Sequence, residues 1–153
     1  MRGAPIRAVA AVLLVLYTLV IARLTLLPAD SEAATFGALN DVVRRLTRGG
    51  LDWSQIEILA NVALFVPAGF LVAVVLRRVW VGVLGCVLAS AAIEWAQYVY
   101  LPSRVPSLAD VEHNSLGGLL GALLAWPLVH WLRATPAARP QPVMPVSAPS
   151  RMR

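Results

Sequence analysis

The chain has no lysine, and all 13 of its basic residues are arginine. It has one cysteine, Cys86, and two histidines in 153 residues. A single cysteine excludes an internal disulfide framework and any cysteine-based zinc site. Cys86 sits inside an apolar run and reads as a small packing residue. His113 and His130 are too far apart along one helix to share a metal, and no metal or cofactor is expected. No G-x-S-x-G, P-loop or H-E-x-x-H pattern is present, which removes the commonest motif-borne chemistries. Charge is scarce too. Charged residues make up 14% of the chain and hydrophobic ones 59%, against about 25% and 45–50% in an ordinary globular protein. With a mean hydropathy of +0.73, much of the surface must face lipid.

What is present is four apolar runs: Ile6–Leu27, Ile56–Leu76, Val79–Ala96 and Leu116–Leu132. About 20 apolar residues cross a bilayer as a helix, and a water-free core requires every backbone group to be paired within the segment. The expected fold is an all-α, four-helix transmembrane bundle over residues 1–134, with helices at about 6–27, 56–76, 79–98 and 114–132. The tail, 135–153, is rich in Pro, Ala and Arg and is expected to be disordered. The first run has Arg2 and Arg7 in front, as a signal peptide would. It is longer than the roughly 7–15 residues of such a segment and contains Arg23, so it reads as a retained anchor.

The formal charge of +5 does not point to nucleic acid, because the arginines form no stripe. They sit at the ends of apolar runs. Arg2 and Arg7 precede the first helix, Arg77 and Arg78 fill the link between the second and third, and Arg133, Arg139, Arg151 and Arg153 follow the fourth. The positive-inside rule makes that side cytoplasmic in the cell membrane, with both termini on it. The other two links mix arginine with Asp and Glu and fall outside. Phe36, Leu39, Val43 and Leu46 recur at roughly helical spacing in Thr35–Arg48, the pattern of a short interfacial helix in the first outer loop. Trp53, Trp95, Tyr98 and Tyr100 fit an outer aromatic belt, and Trp80 and Trp131 an inner one.

Helix starts are marked as well. Ser54-x-x-Glu57 reads as a capping box ahead of the second helix. Ser107-x-x-Asp110 resembles one ahead of the fourth, with Asp110 placed for the positive helix end. Pro67 should kink the second helix and Pro127 should bend the fourth near its inner end. Gly117-x-x-x-Gly121 gives the fourth helix a small-residue face, which reads as packing within the chain rather than dimerisation.

The few polar residues in the runs carry the most information. Arg23 comes late in the first helix, Asn61 early in the second, Glu94 and Gln97 late in the third, and Asp110 and Asn114 at the start of the fourth. Because successive helices alternate in direction, all of them fall at the outer end. Glu94 and Gln97 are i, i+3 neighbours, and Asp110 and Asn114 are i, i+4 neighbours. A charged side chain at a helix centre costs about 2.5–3.5 kcal/mol on insertion scales and marks a partner or a function. Arg23 and Glu94 are the natural ion pair, and Arg104 suits Asp110.

These pieces, in this order, resemble the VanZ-like family of bacterial membrane proteins. They are Arg23-Leu-Thr-Leu-Leu-Pro28, Asn61-Val-Ala-Leu-Phe-Val-Pro67-Ala-Gly69, Ser90-Ala-Ala-Ile-Glu94-Trp-Ala-Gln97, Arg104, and Asp110-Val-Glu-His-Asn114-Ser-Leu-Gly117-Gly-Leu-Leu-Gly121. His113 is a departure, since the family often has an apolar residue before that Asn. The resemblance implies a four- or five-helix membrane domain and the namesake role, low-level resistance to the glycopeptide teicoplanin. It supplies no settled biochemical activity. The residues and the resemblance together suggest an outward polar pocket of Arg23, Asn61, Glu94, Gln97, Arg104, Asp110 and Asn114. It would take a lipid-linked envelope component or another amphipathic ligand. Two alternatives stand beside it: an enzyme acting on an envelope lipid through Glu94 and Asp110, and a structural partner of another membrane protein.

Overall fold

The computed structural model of the chain describes residues 3–26, 37, 41–45, 47–48, 50–102 and 107–134. Its elements are α1 (Gly3–Thr25), α2 (Trp53–Leu76), α3 (Val79–Tyr100), α4 (Leu108–Leu124) and α5 (Trp126–Ala134). Every regular element among the described residues is an α-helix. α1, α2 and α3 are each long and apolar enough to cross a membrane, and α4 with α5 make a fourth crossing if that bent pair is one span. At 1.5 Å per residue, the 24 residues of α2 reach about 36 Å, enough for a hydrocarbon core of about 30 Å. Residues 41–45 are helical, within the segment expected to form a surface helix. The tail 135–153 lies outside the described residues.

Two boundaries differ from expectation. The second helix is capped by Asp52, not Ser54: Asp52 accepts from the Gln55 N–H at 2.8 Å, and the Gln55 side chain accepts from the Asp52 N–H at 3.0 Å. The start at Trp53 closes this reciprocal box and turns Ile56 inward, where it is buried. The fourth helix begins at Leu108 rather than near 114. Ser107 is its N-cap, as its sequence spacing indicates, and its hydroxyl accepts from the Asp110 N–H. α4 and α5 bend by 45° at Ala125. Pro127 lacks the N–H that would bond the Leu123 carbonyl, and its ring clashes there. α2, by contrast, is one continuous helix through Pro67. Pro67 leaves the Ala63 carbonyl without its helical donor, and the next carbonyl, Leu64, accepts from the Tyr17 hydroxyl of α1 at 2.8 Å.

The chain runs up and down, so α1, α2, α3 and the α4–α5 pair alternate in direction. α2 is central and packs against α1, α3 and α4. Its closest partner is α4, because glycine lets the two backbones touch. A Cβ on Gly121 would overlap the Val66 carbonyl of α2, and one on Gly118 would overlap Cys86 of α3. Apart from Phe65, the largest fully buried side chains are correspondingly small: Val74, Cys86 and Ser90. Large apolar side chains point outward instead, with Val9, Val12, Leu13, Val15, Leu16 and Leu19 of α1 each about half exposed or more. In water so continuous an apolar surface would drive association; it is the complement of lipid. Only Ala10 and Ile21 of α1 are buried.

Candidate functional site

The glycine contacts fix a register that assembles the polar end. Gly118 of α4 lies on Cys86 of α3. One turn toward the polar end, Asn114 faces Ser90, donating from Nδ2 to the Ser90 hydroxyl at 2.8 Å. Beyond that, Glu94 meets the start of α4, where its carboxylate accepts the Ser107 backbone N–H at 2.8 Å. On the other flank of α4, Gly117 lies on the Val62 carbonyl of α2. Near it, Asn61 donates from Nδ2 to Asp110 Oδ1 at 2.8 Å. Gln97 reaches across to α1, donating to the Thr25 carbonyl at 2.8 Å, which supplies a donor to one of the orphan carbonyls at that helix end.

All four crossings therefore contribute to one polar cluster at the end formed by the α1 C-terminus, the α2 N-terminus, the α3 C-terminus and the α4 N-terminus. Ser90, Gln97 and Asn114 are buried, at 0%, 5% and 5% exposure. Asn61, Glu94 and Asp110 are half-buried. Two carboxylates converge on the start of α4, Asp110 from its first turn and Glu94 from α3. The positive end of the helix favours both. Ser107 joins them, since its N–H binds Glu94 and its hydroxyl caps the Asp110 N–H. Asn114 Oδ1 is buried with no hydrogen-bond partner among the described residues. A buried acceptor left unpaired costs about 1–3 kcal/mol.

Arg23 departs from the expected pairing. It is exposed on α1 and forms no ion pair with a described residue. Ile21, two positions back, is the buried residue, and two steps along a helix reverse its face. Arg104 lies outside the described residues. Ser90 was not singled out as a site residue from the sequence. Its signal was its place one turn before Glu94, on the face shared with Gln97. No group of three His, Cys, Asp or Glu residues able to hold a metal occurs among the described residues.

The Asn61–Asp110 bond gives a direct test of this geometry. A double-mutant cycle with Asn61→Ala and Asp110→Ala, read by unfolding in detergent, should give a coupling of about 0.6–1.7 kcal/mol, the range of interhelical bonds in membranes. Strictly additive losses would place the two side chains apart.

No curated protein and no solved structure matches the chain. The family described as VanZ/LLP1 matches residues 14–132, from the middle of α1 to the end of α5. That stretch contains the glycine contacts and each polar residue of the cluster, and the chain is a membrane protein of the VanZ/LLP1 family.

Proposed function

We propose that the polar end of the bundle is an outward-facing site of the cell envelope for an amphipathic ligand, such as a lipid-linked envelope component or the acyl-bearing part of a lipoglycopeptide. The observation that carries it is the set of hydrogen bonds that Asn61, Glu94, Gln97, Asp110 and Asn114 make at this one end of the bundle, with the buried Asn114 Oδ1 left without a partner among the described residues. Polar groups set within membrane helices are costly, and five from three helices at one depth exceed what packing requires. The exposed apolar flanks of α1 and α3 would accommodate a lipid chain beside it, with Arg23 and Arg104 as cations for a phosphate or carboxylate. Low-level teicoplanin resistance, the role that the family resemblance implies, fits a site of this kind. Mass spectrometry of lipids that co-purify with the chain tests this directly. A bound phosphate- or carboxylate-bearing lipid, lost in Asn114→Leu, is the expected result; only bulk lipid in both proteins would count against it.

A second reading has one observation in its favour. Glu94 accepts the Ser107 N–H, and Asp110 stands in the first turn that Ser107 caps, so two carboxylates come to the start of α4, as acid–base chemistry on a lipid headgroup would need. Both carboxylates, however, already hold structural hydrogen bonds, which favours binding over catalysis. Turnover of an added envelope lipid by the purified protein would reverse that preference.

The outward direction rests on the arginines. Reporter fusions should place Arg78 and Arg139 in the cytoplasm, and Gly50 and Arg104 outside. An external Arg139 would invert the site.

A further inference from the structure

The opposite end of the bundle has an unusual charge balance. All eight carboxylates of the chain, at 30, 32, 41, 52, 57, 94, 110 and 112, belong to the polar end or to the two connections on that side. The other end gathers Arg7, Arg77, Arg78 and Arg133. The start of α1, the end of α2, the start of α3 and all of α5 contain no Asp or Glu. Among the described residues, these guanidinium groups therefore have no carboxylate beside them to neutralise them.

They are nonetheless held in place. Arg7 Nε donates to the Val75 carbonyl at 3.1 Å. Arg77 donates to the Leu132 carbonyl, and Arg133 Nε donates to the Arg77 carbonyl at 2.5 Å. Arginine side chains thus tie the C-terminal ends of α2 and α5 together. Arg77 is also the C-cap of α2 with φ 56°, a left-handed backbone for which glycine is the low-cost choice. An arginine there costs conformational energy that its side chain must offset. Its Nε is buried and has no partner among the described residues.

Leu76, Arg77, Arg78, Trp80 and Arg133 line an open groove of about 560 Å³ at this end, a size that suits a small ligand or headgroup. Leu76 and Trp80, on the walls, are 51% and 60% exposed, so the groove borders the lipid-facing surface. We propose that it binds the phosphate of an anionic phospholipid. The remaining donors of Arg77, Arg78 and Arg133 would take the phosphate oxygens, and Leu76 and Trp80 would lie against the acyl chains. Exposed arginines alone would attract anionic lipid diffusely. Fixing two of them through helix-end carbonyls around one groove makes a site. The apolar walls are what distinguish lipid phosphate from free phosphate.

The test uses the full chain in neutral detergent, with phosphatidylglycerol, phosphatidylcholine and inorganic phosphate as separate probes. Native mass spectrometry and thermal unfolding are the readouts. Phosphatidylglycerol should bind at about one per chain and raise the unfolding temperature, while phosphatidylcholine should not. Arg78→Gln should weaken phosphatidylglycerol roughly fivefold, the equivalent of one arginine at a lipid surface. Its unfolding temperature without lipid should stay unchanged, because the Arg78 side chain caps no helix. Arg44→Gln, exposed on the carboxylate-bearing side, should bind as the native chain does. Equal binding of phosphatidylcholine, or undiminished phosphatidylglycerol binding in Arg78→Gln combined with Arg133→Gln, would overturn the proposal. Competition by inorganic phosphate at comparable concentration would assign the groove to a soluble anion and overturn it equally.

Discussion

Gly121→Val is expected to leave almost no folded protein in the membrane. Even a single Cβ at this position would overlap the Val66 carbonyl and approach the Phe70 backbone nitrogen at 2.9 Å. Backbone atoms cannot rotate away as a side-chain tip can, so α4 would have to separate from α2. That separation unpacks Ala73, Ala122 and Ala125, each at 0% exposure, and opens the Asn61–Asp110 bond. Overpacking costs about 1–3 kcal/mol where side chains can adjust. Here the cost should reach or exceed the top of that range, a large part of a typical stability of about 5–15 kcal/mol. Gly121→Ala should lie between the native chain and Gly121→Val. Gly85→Ala is the control: its Cβ would meet only Val72 Cγ1 at 3.4 Å, an ordinary contact, and alanine is the better helix former. Detergent-resistant folded fraction and unfolding temperature would rank the three. If Gly121→Val were as stable as Gly85→Ala, the α2–α4 contact would be wrong.

The same contact explains which parts of the site were legible in the sequence. The common depth of Asn61, Glu94, Gln97, Asp110 and Asn114 could be read because helix direction alternates and each residue has a countable distance from its helix end. Gly117-x-x-x-Gly121 pointed to close packing within the chain, and the Val62 and Val66 contacts are that packing. Ser107 and the bend near Pro127 were legible for local reasons, a cap and a missing N–H. Partner choice was not legible, because it depends on rotation about each helix axis. α1 is apolar on nearly every face, so nothing in its sequence fixes which side meets the bundle. Arg23 therefore looked like a partner for Glu94, although it projects away from Ile21, the buried side. The start of α2 offered two plausible caps two residues apart. Asp52 prevailed because Gln55 completes its box and Ile56 turns inward. Ser90 was overlooked because a serine in a membrane helix can bond its own preceding turn, so its place one turn before Glu94 does not by itself reveal the bond to Asn114.

These pairings set the expected behaviour of Glu94. Its carboxylate accepts the Ser107 N–H, at the junction where the polar connection enters α4. Glu94→Ala removes that acceptor and leaves a partly buried N–H without it, at a cost of about 1–3 kcal/mol. Unfolding temperature and expression should both fall. Arg23→Leu should not rescue this loss, because the Arg23 guanidinium is exposed and is not left as a buried, unpaired charge. Rescue by Arg23→Leu would instead indicate a direct ion pair. Glu94→Gln separates scaffold from function. The amide oxygen can take the same Ser107 N–H, so the variant should keep most of the native stability, and any change should stay below that of Glu94→Ala. What it loses is the negative charge beside Asp110. If the polar end serves ligand binding through that carboxylate, Glu94→Gln should retain the fold, lose the co-purifying lipid and abolish any resistance phenotype. Loss of binding together with loss of fold would speak only of stability, which is why the unfolding temperature must be measured on the same preparation. A Glu94→Gln protein that is stable and keeps full ligand binding would leave Glu94 as an anchor for the α4 start alone. The ligand site would then have to centre on Asn114 and Asp110.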